Sequence, residues 1–148
     1  MNCEPTNRRL ITLPKQPPRT RPVTIAQAKQ YLGKAEEFLA SAKDDLAQGR
    51  MIAATSSAVH AGINAGDVVT AVRSGQRSAG DAHSQAMELL RASGPDGVVL
   101  AKDLRRLVAL KPKAEYDPSD IALGTARQAV EAADRCVRIA RRVFASRR

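Results

Sequence analysis

Large aromatic rings are almost missing from this chain: its 148 residues include no tryptophan, two phenylalanines and two tyrosines. A core without big rings has to be filled by Ala, Val and Leu, which suits helices packed at close range. Cysteine is scarce too, with Cys3 and Cys136 far apart. That is too few for a disulfide framework and fits a reduced, cytoplasmic protein. The two histidines, His60 and His83, add no ligand cluster, so neither a metal nor another cofactor is expected. No apolar run approaches the roughly 20 residues that span a bilayer, and no membrane partner is expected. The N-terminal stretch lacks the apolar segment of a secretory leader. Acid is missing at both ends. Residues 1–23 carry five basic side chains and one acid, and residues 135–148 carry six arginines and no acid. The 111 residues between them sum to −1, so the net charge of +9 belongs to the termini. Basic ends suit a nucleic acid or an acidic partner protein, or equally a solvated tail and a solvated helix face.

What is present is helical periodicity. Residues 1–23 hold five of the eight prolines among polar and basic neighbours, and read as a flexible arm ahead of a helical domain over residues 24–148. Thr24 and Gln27 make a capping-box pattern for a first helix with one apolar stripe from Ala28 to Leu46. A second helix, about 50–73, is dense in Ala and Gly. Gly62 and Gly66 each cost roughly 1 kcal/mol there, which close approach of a neighbouring helix would offset. A bend at Gly75–Gly80 leads to a third helix over about 79–92, and Ser93–Gly97 makes a turn. A fourth helix over about 98–110 stops at Pro112. After KPKAEYDP, Ser119 caps a last helix to about Ala145. No segment alternates with period two. The expectation is an all-α fold, an antiparallel four- to five-helix bundle.

The order of these features resembles the HEPN superfamily of small helical bundles. An opening helix KAEEFLASAKDDLAQGR precedes a small-residue helix AATSSAVHAGINAGDVV. The segment GQRSAGDAHSQAMELL and the short helix LRRLVAL follow. KPKAEYDP is similar to the family's basic-x-x-Ala-acidic-Tyr pattern, and a long helix closes the chain. The resemblance covers about residues 27 to 145. It implies a bundle that often dimerises. It also implies either a metal-independent ribonuclease of toxin–antitoxin type or a relative that binds nucleotides or a partner without catalysis. The active branch carries Arg, four to six residues, then His, and Arg77 and His83 match that spacing. On that reading His83 takes the 2′-hydroxyl proton and Arg77 steadies the phosphate. RNA and a cognate antitoxin or acidic protein are then the expected partners, with a homodimer. The alternative is that His83 packs beside Ala86 and Leu90, with Asp81 or Ser78 capping the third helix.

Three further groups are candidates. Lys111, Lys113 and Tyr116, with Glu115, sit just before the expected start of the last helix, where backbone amides attract phosphate. Alternatively, Tyr116 docks its ring on the bundle. His60, Asn64 and Asp67 are spaced four and three apart and share a helix face. They suit a nucleotide site, a metal site if further ligands converge, a buried polar network or a polar strip at a dimer interface. Arg135, Arg138 and Arg142 line one face of the last helix. Without interleaved aromatics they would hold nucleic acid by phosphate contact alone. Three classes therefore stand open: a ribonuclease, a non-catalytic nucleotide- or partner-binding module, and a nucleic-acid binder working through its basic ends.

Overall fold

The first helix begins where its capping residues place it. Thr24 Oγ1 accepts from the Gln27 amide at 3.1 Å, and the Gln27 side chain accepts from the Thr24 amide at 3.0 Å. In the computed structural model, which describes residues 19–80 and 83–147, the elements run as follows. A short strand β1 (Thr20–Pro22) leads into α1 (Ile25–Ala47) and α2 (Met51–Ser74). A second strand β2 (Gln76–Ser78) and a nine-residue α3 (His83–Arg91) follow, then α4 (Pro95–Glu115) and α5 (Leu123–Ala145). The architecture is an all-α bundle of five helices with a two-stranded ribbon at one edge. Among the described residues no helix is long and apolar enough to cross a membrane.

Helix α2 packs against α1, α4 and α5, and its small residues explain how. Ala54, Ala58, Ala61 and Ala65 are fully buried. A Cβ on Gly62 would stand 2.6 Å from Leu107 Cδ1, and one on Gly66 would stand 3.2 Å from Leu104 Cδ2. The expected close approach is therefore real, and α4 is the helix that makes it. Val59, Val68 and Val69 from α2 complete the core with Leu39, Leu100, Leu104 and Val137.

Four local expectations change. Residues 20–22 do not belong to the arm: β1 pairs antiparallel with β2, Thr20 opposite Ser78 and Arg21 opposite Arg77. Val23 anchors the ribbon, buried against Ala28 and Ala71. Residues 1–18 lie outside the described residues. Helix α3 is described over His83–Arg91, and residues 79 and 80 are not helical, since they follow directly on the strand at 76–78. Helix α4 starts at Pro95, not at 98: a proline costs nothing at the first helical position, whose amide has no partner anyway. It also runs through Pro112 to Glu115. Pro112 removes one donor from the ladder. The Tyr116 and Asp117 amides still close on its carbonyl, at 3.0 and 3.2 Å. Finally, Ala122 and not Ser119 precedes α5. Ser119 is taken by Asp117, whose Oδ1 accepts from the Ser119 amide at 2.8 Å.

Candidate functional site

The turn after α2 sets up the site. Gly75 closes the helix in the left-handed region, at φ 66°, with its amide on the Ala71 carbonyl. The chain then doubles back as β2. Successive side chains of a strand point to opposite faces, so Arg77 and Ser78 part company.

Arg77 turns towards α1 and α2. Its Nη1 donates to the Tyr31 hydroxyl at 2.5 Å, and its guanidinium carbon lies 5.2 Å from the centre of the Tyr31 ring. Its Nε stands 3.9 Å from Asp67 Oδ2. That nitrogen is buried without a hydrogen-bond partner among the described residues. Burial pushes the Asp67 carboxyl up to about 6, and the charges of Arg77 and Lys34 pull it only partly back.

Ser78 turns the other way, into a cavity of about 30 Å³ shared with Asp67, Thr70 and His83 among apolar side chains of α2, α3 and α4. Its hydroxyl is buried without a hydrogen-bond partner among the described residues, so it caps none of the described part of α3. Asp81, the other expected cap of α3, lies outside the described residues. His83, the first residue of α3, also borders a second, open groove of about 400 Å³ on the α3–α4 face. Ser84, Glu88, Arg91 and Arg105 line that groove with it. Neither arginine is ion-paired among the described residues. The structure thus gives His83 two arginine neighbours in its groove that spacing did not suggest, while Arg77 is engaged by Tyr31 and Asp67. Arg91 was legible in part, since His83, Met87 and Arg91 follow one another at steps of four along α3. Arg105 belongs to another helix, and no sequence signal joins it to His83.

The other candidates fall elsewhere. The face carrying His60, Asn64 and Asp67 does not act as one group. His60 stacks on Phe38, with ring centres 5.2 Å apart, and its Nε2 is 3.3 Å from Glu115 Oε1. Asn64 donates to the His60 carbonyl at 2.8 Å. Asp67 belongs to Arg77. Among the described residues no group of His, Cys, Asp and Glu could hold a metal ion. Lys111 and Lys113 lie in the last turns of α4 and Tyr116 at its end, so they sit at a helix C-terminus, not before an N-terminus. The carbonyl end of a helix repels phosphate, which removes the physical reason for a site there. Tyr116 does not dock either, being 79% exposed.

Four arginines of α5 face carboxylates of the same chain. Arg135 grips Asp103 with two hydrogen bonds, at 3.0 and 2.8 Å. Arg138 pairs with Asp134 at 2.7 Å, and Arg142 with Asp96 at 2.8 Å. Arg141 reaches Glu36 on α1 at 2.9 Å. Arg135 and Arg142 tie α5 to α4 and Arg141 ties it to α1, while the Arg138–Asp134 pair lies within α5, and a phosphate would have to compete with a carboxylate at each of them. A search against known protein families matches no family model to this chain, and no curated protein matches it either.

Proposed function

We propose that this chain is a HEPN-like helical module that holds the phosphate of a nucleotide or an RNA chain in the groove at His83, by binding without cutting. One observation carries the reading: an imidazole and two guanidiniums, His83, Arg91 and Arg105, line a single open groove. A guanidinium fork matches a phosphate with paired N–H donors, and an imidazole supplies a further donor. The Arg77 side chain, which a nuclease dyad would need at the scissile phosphate, is engaged by Tyr31 and Asp67.

The test is binding of a labelled mononucleotide and a short RNA at fixed low salt. Arg105→Ala and Arg91→Ala are each expected to weaken both ligands, with folding intact by circular dichroism. Full affinity in both variants would remove the groove from consideration. A second reading, metal-independent RNA cleavage, draws on the place of His83 beside two cations. A neutral imidazole there could take a 2′-hydroxyl proton while a guanidinium steadies the charge on the phosphorane oxygens. Incubation with RNA in EDTA, wild type beside His83→Ala, Arg77→Ala and Arg105→Ala, separates the two. Cleavage lost in His83→Ala would favour the enzyme, and homodimerisation and a cognate antitoxin would then be the next things to look for.

A further inference from the structure

A second basic group lies on the other side of β2 from the His83 groove. Opposed residues of an antiparallel pair point to the same face, so the register places Arg21 beside Arg77. Arg19 follows on the same face two residues earlier. Its carbonyl accepts from the Ala79 amide at 2.9 Å, which extends the ribbon to it. Like charges directly opposed across a strand pair are unfavourable, and a short ribbon has little stability to spare. From α1, Lys34 adds a further positive charge, close enough to act on Asp67.

Against these four cations stands one carboxyl, Asp67. It is mostly buried beside Arg77, with burial raising its carboxyl above the usual range. Arg19, Arg21 and Lys34 are exposed and have no carboxylate partner among the described residues. The contrast with α5 is direct. There each of four arginines meets a carboxylate within 3 Å. Here the charge is left over.

We infer that the ribbon face carrying Arg19 and Arg21, with Lys34 of α1, is a second phosphate subsite, backed by the charge of the Arg77 guanidinium that Tyr31 and Asp67 hold in place. A single-stranded polynucleotide then runs from this patch to the His83 groove. The patch is built on β1, β2 and α1 and the groove on α3 and α4, so one phosphate cannot serve both, and an extended chain with a phosphate at each nucleotide can. This deepens the reading above and rests on it for the first subsite. It selects a chain over a free nucleotide as ligand. The contacts are to phosphate, so little base preference is expected.

Fluorescence anisotropy with single-stranded RNA of one, three, six and ten nucleotides tests it, with single-stranded DNA of the same sequence alongside. Wild type should bind more tightly as length grows from one to six nucleotides. Arg21→Ala/Lys34→Ala should leave the mononucleotide unchanged and weaken the ten-mer about fivefold or more. Arg105→Ala should weaken both. A ten-mer bound equally by wild type and the double variant, with Arg105→Ala still impaired, would overturn the second subsite alone. No effect of Arg105→Ala on either ligand would instead overturn the first. Displacement of RNA by polyglutamate of equal charge at equal concentration would also overturn a polynucleotide site, in favour of a general acidic partner. Arg21 and Lys34 are exposed, so the double variant should keep its fold, and the single variant Arg21→Ala repeats the test with one like-charge pair removed.

Discussion

Asp67 shows how one buried group connects stability to pH. Its folded-state carboxyl is pushed up to about 6, above the value of 3.8 for a free side chain. A raised folded value means that the folded state binds the proton more tightly than the unfolded chain. The associated stability is fully present below about pH 4 and is lost as pH rises through about 6. Asp67→Asn keeps the shape and removes the titration. The stability of Asp67→Asn relative to wild type should therefore rise by about 2 kcal/mol between pH 4 and pH 7, as read by urea denaturation at the two pH values. An equal difference at both would mean that Asp67 is not held in a poorly solvated place. Gly97 makes a different demand. A Cβ there would stand 1.9 Å from the Leu90 carbonyl oxygen, which is backbone and cannot turn aside. Gly97→Ala should cost about 3 kcal/mol or more, since the α3–α4 junction must open to admit it. The sequence marks Gly94-Pro95-Asp96-Gly97 as a turn but gives no means of telling which glycine is there for its backbone angle and which for space. Gly94 has φ 94°, and Gly97 lies inside α4 under Leu90.

At the scale of elements, the helices were legible because each announces itself locally. Thr24 and Gln27 satisfy each other's amides, and the Ala-Gly face of α2 has a use only if another helix comes close. The ribbon was not legible. Three residues a side carry no alternation to read, and β1 sits in a proline-rich, basic segment. Its stability comes from Val23 docking on α1 and α2, a long-range contact. A chain beginning at Arg19 should accordingly be about 1–2 kcal/mol more stable to urea than one beginning at Thr24, the difference being Val23 and the strand pair. Equal midpoints would show that the ribbon adds nothing to the bundle. The ion pairs of α5 were equally hidden, because periodicity shows which residues share a face and not what the face meets. Asp103 is buried, at 7% exposed, and Arg135 is the group that grips it with two hydrogen bonds. Arg135→Ala leaves that carboxylate without its main partner and should cost about 2 kcal/mol. The Arg138–Asp134 pair is largely solvated, with the arginine side chain 72% exposed, and Arg138→Ala should cost about 0.5 kcal/mol or less. Comparable losses in thermal denaturation of the two variants would contradict the assignment of Arg135 as the tie between α4 and α5.

For the whole molecule, the net charge of +9 is a poor guide to where an anion would bind. Six of the positive charges lie between residues 135 and 148, yet four of those arginines are matched to Asp103, Asp134, Glu36 and Asp96. Around β2 and α3, where the sequence shows no run of basic residues at all, Arg19, Arg21, Arg91 and Arg105 have no carboxylate partner among the described residues. Chain folding sets Arg21 of β1 opposite Arg77 of β2, and brings Arg91 of α3 and Arg105 of α4 to one groove, and no local pattern could have announced either. The consequence is measurable. Binding of a polyanion through phosphate contacts weakens with salt, and the slope counts the cations engaged. Arg138→Ala removes a positive charge but also frees Asp134 to pair with Lys43 alone, at 2.9 Å, so the slope for a single-stranded RNA ten-mer should stay as in wild type. Arg105→Ala removes one unmatched cation, and its slope should fall by about 0.7 to 1. Were charge alone the determinant, the two variants would lose affinity alike. A flatter slope in Arg138→Ala than in Arg105→Ala would return the interface to α5 and take it away from the β2–α3 corner.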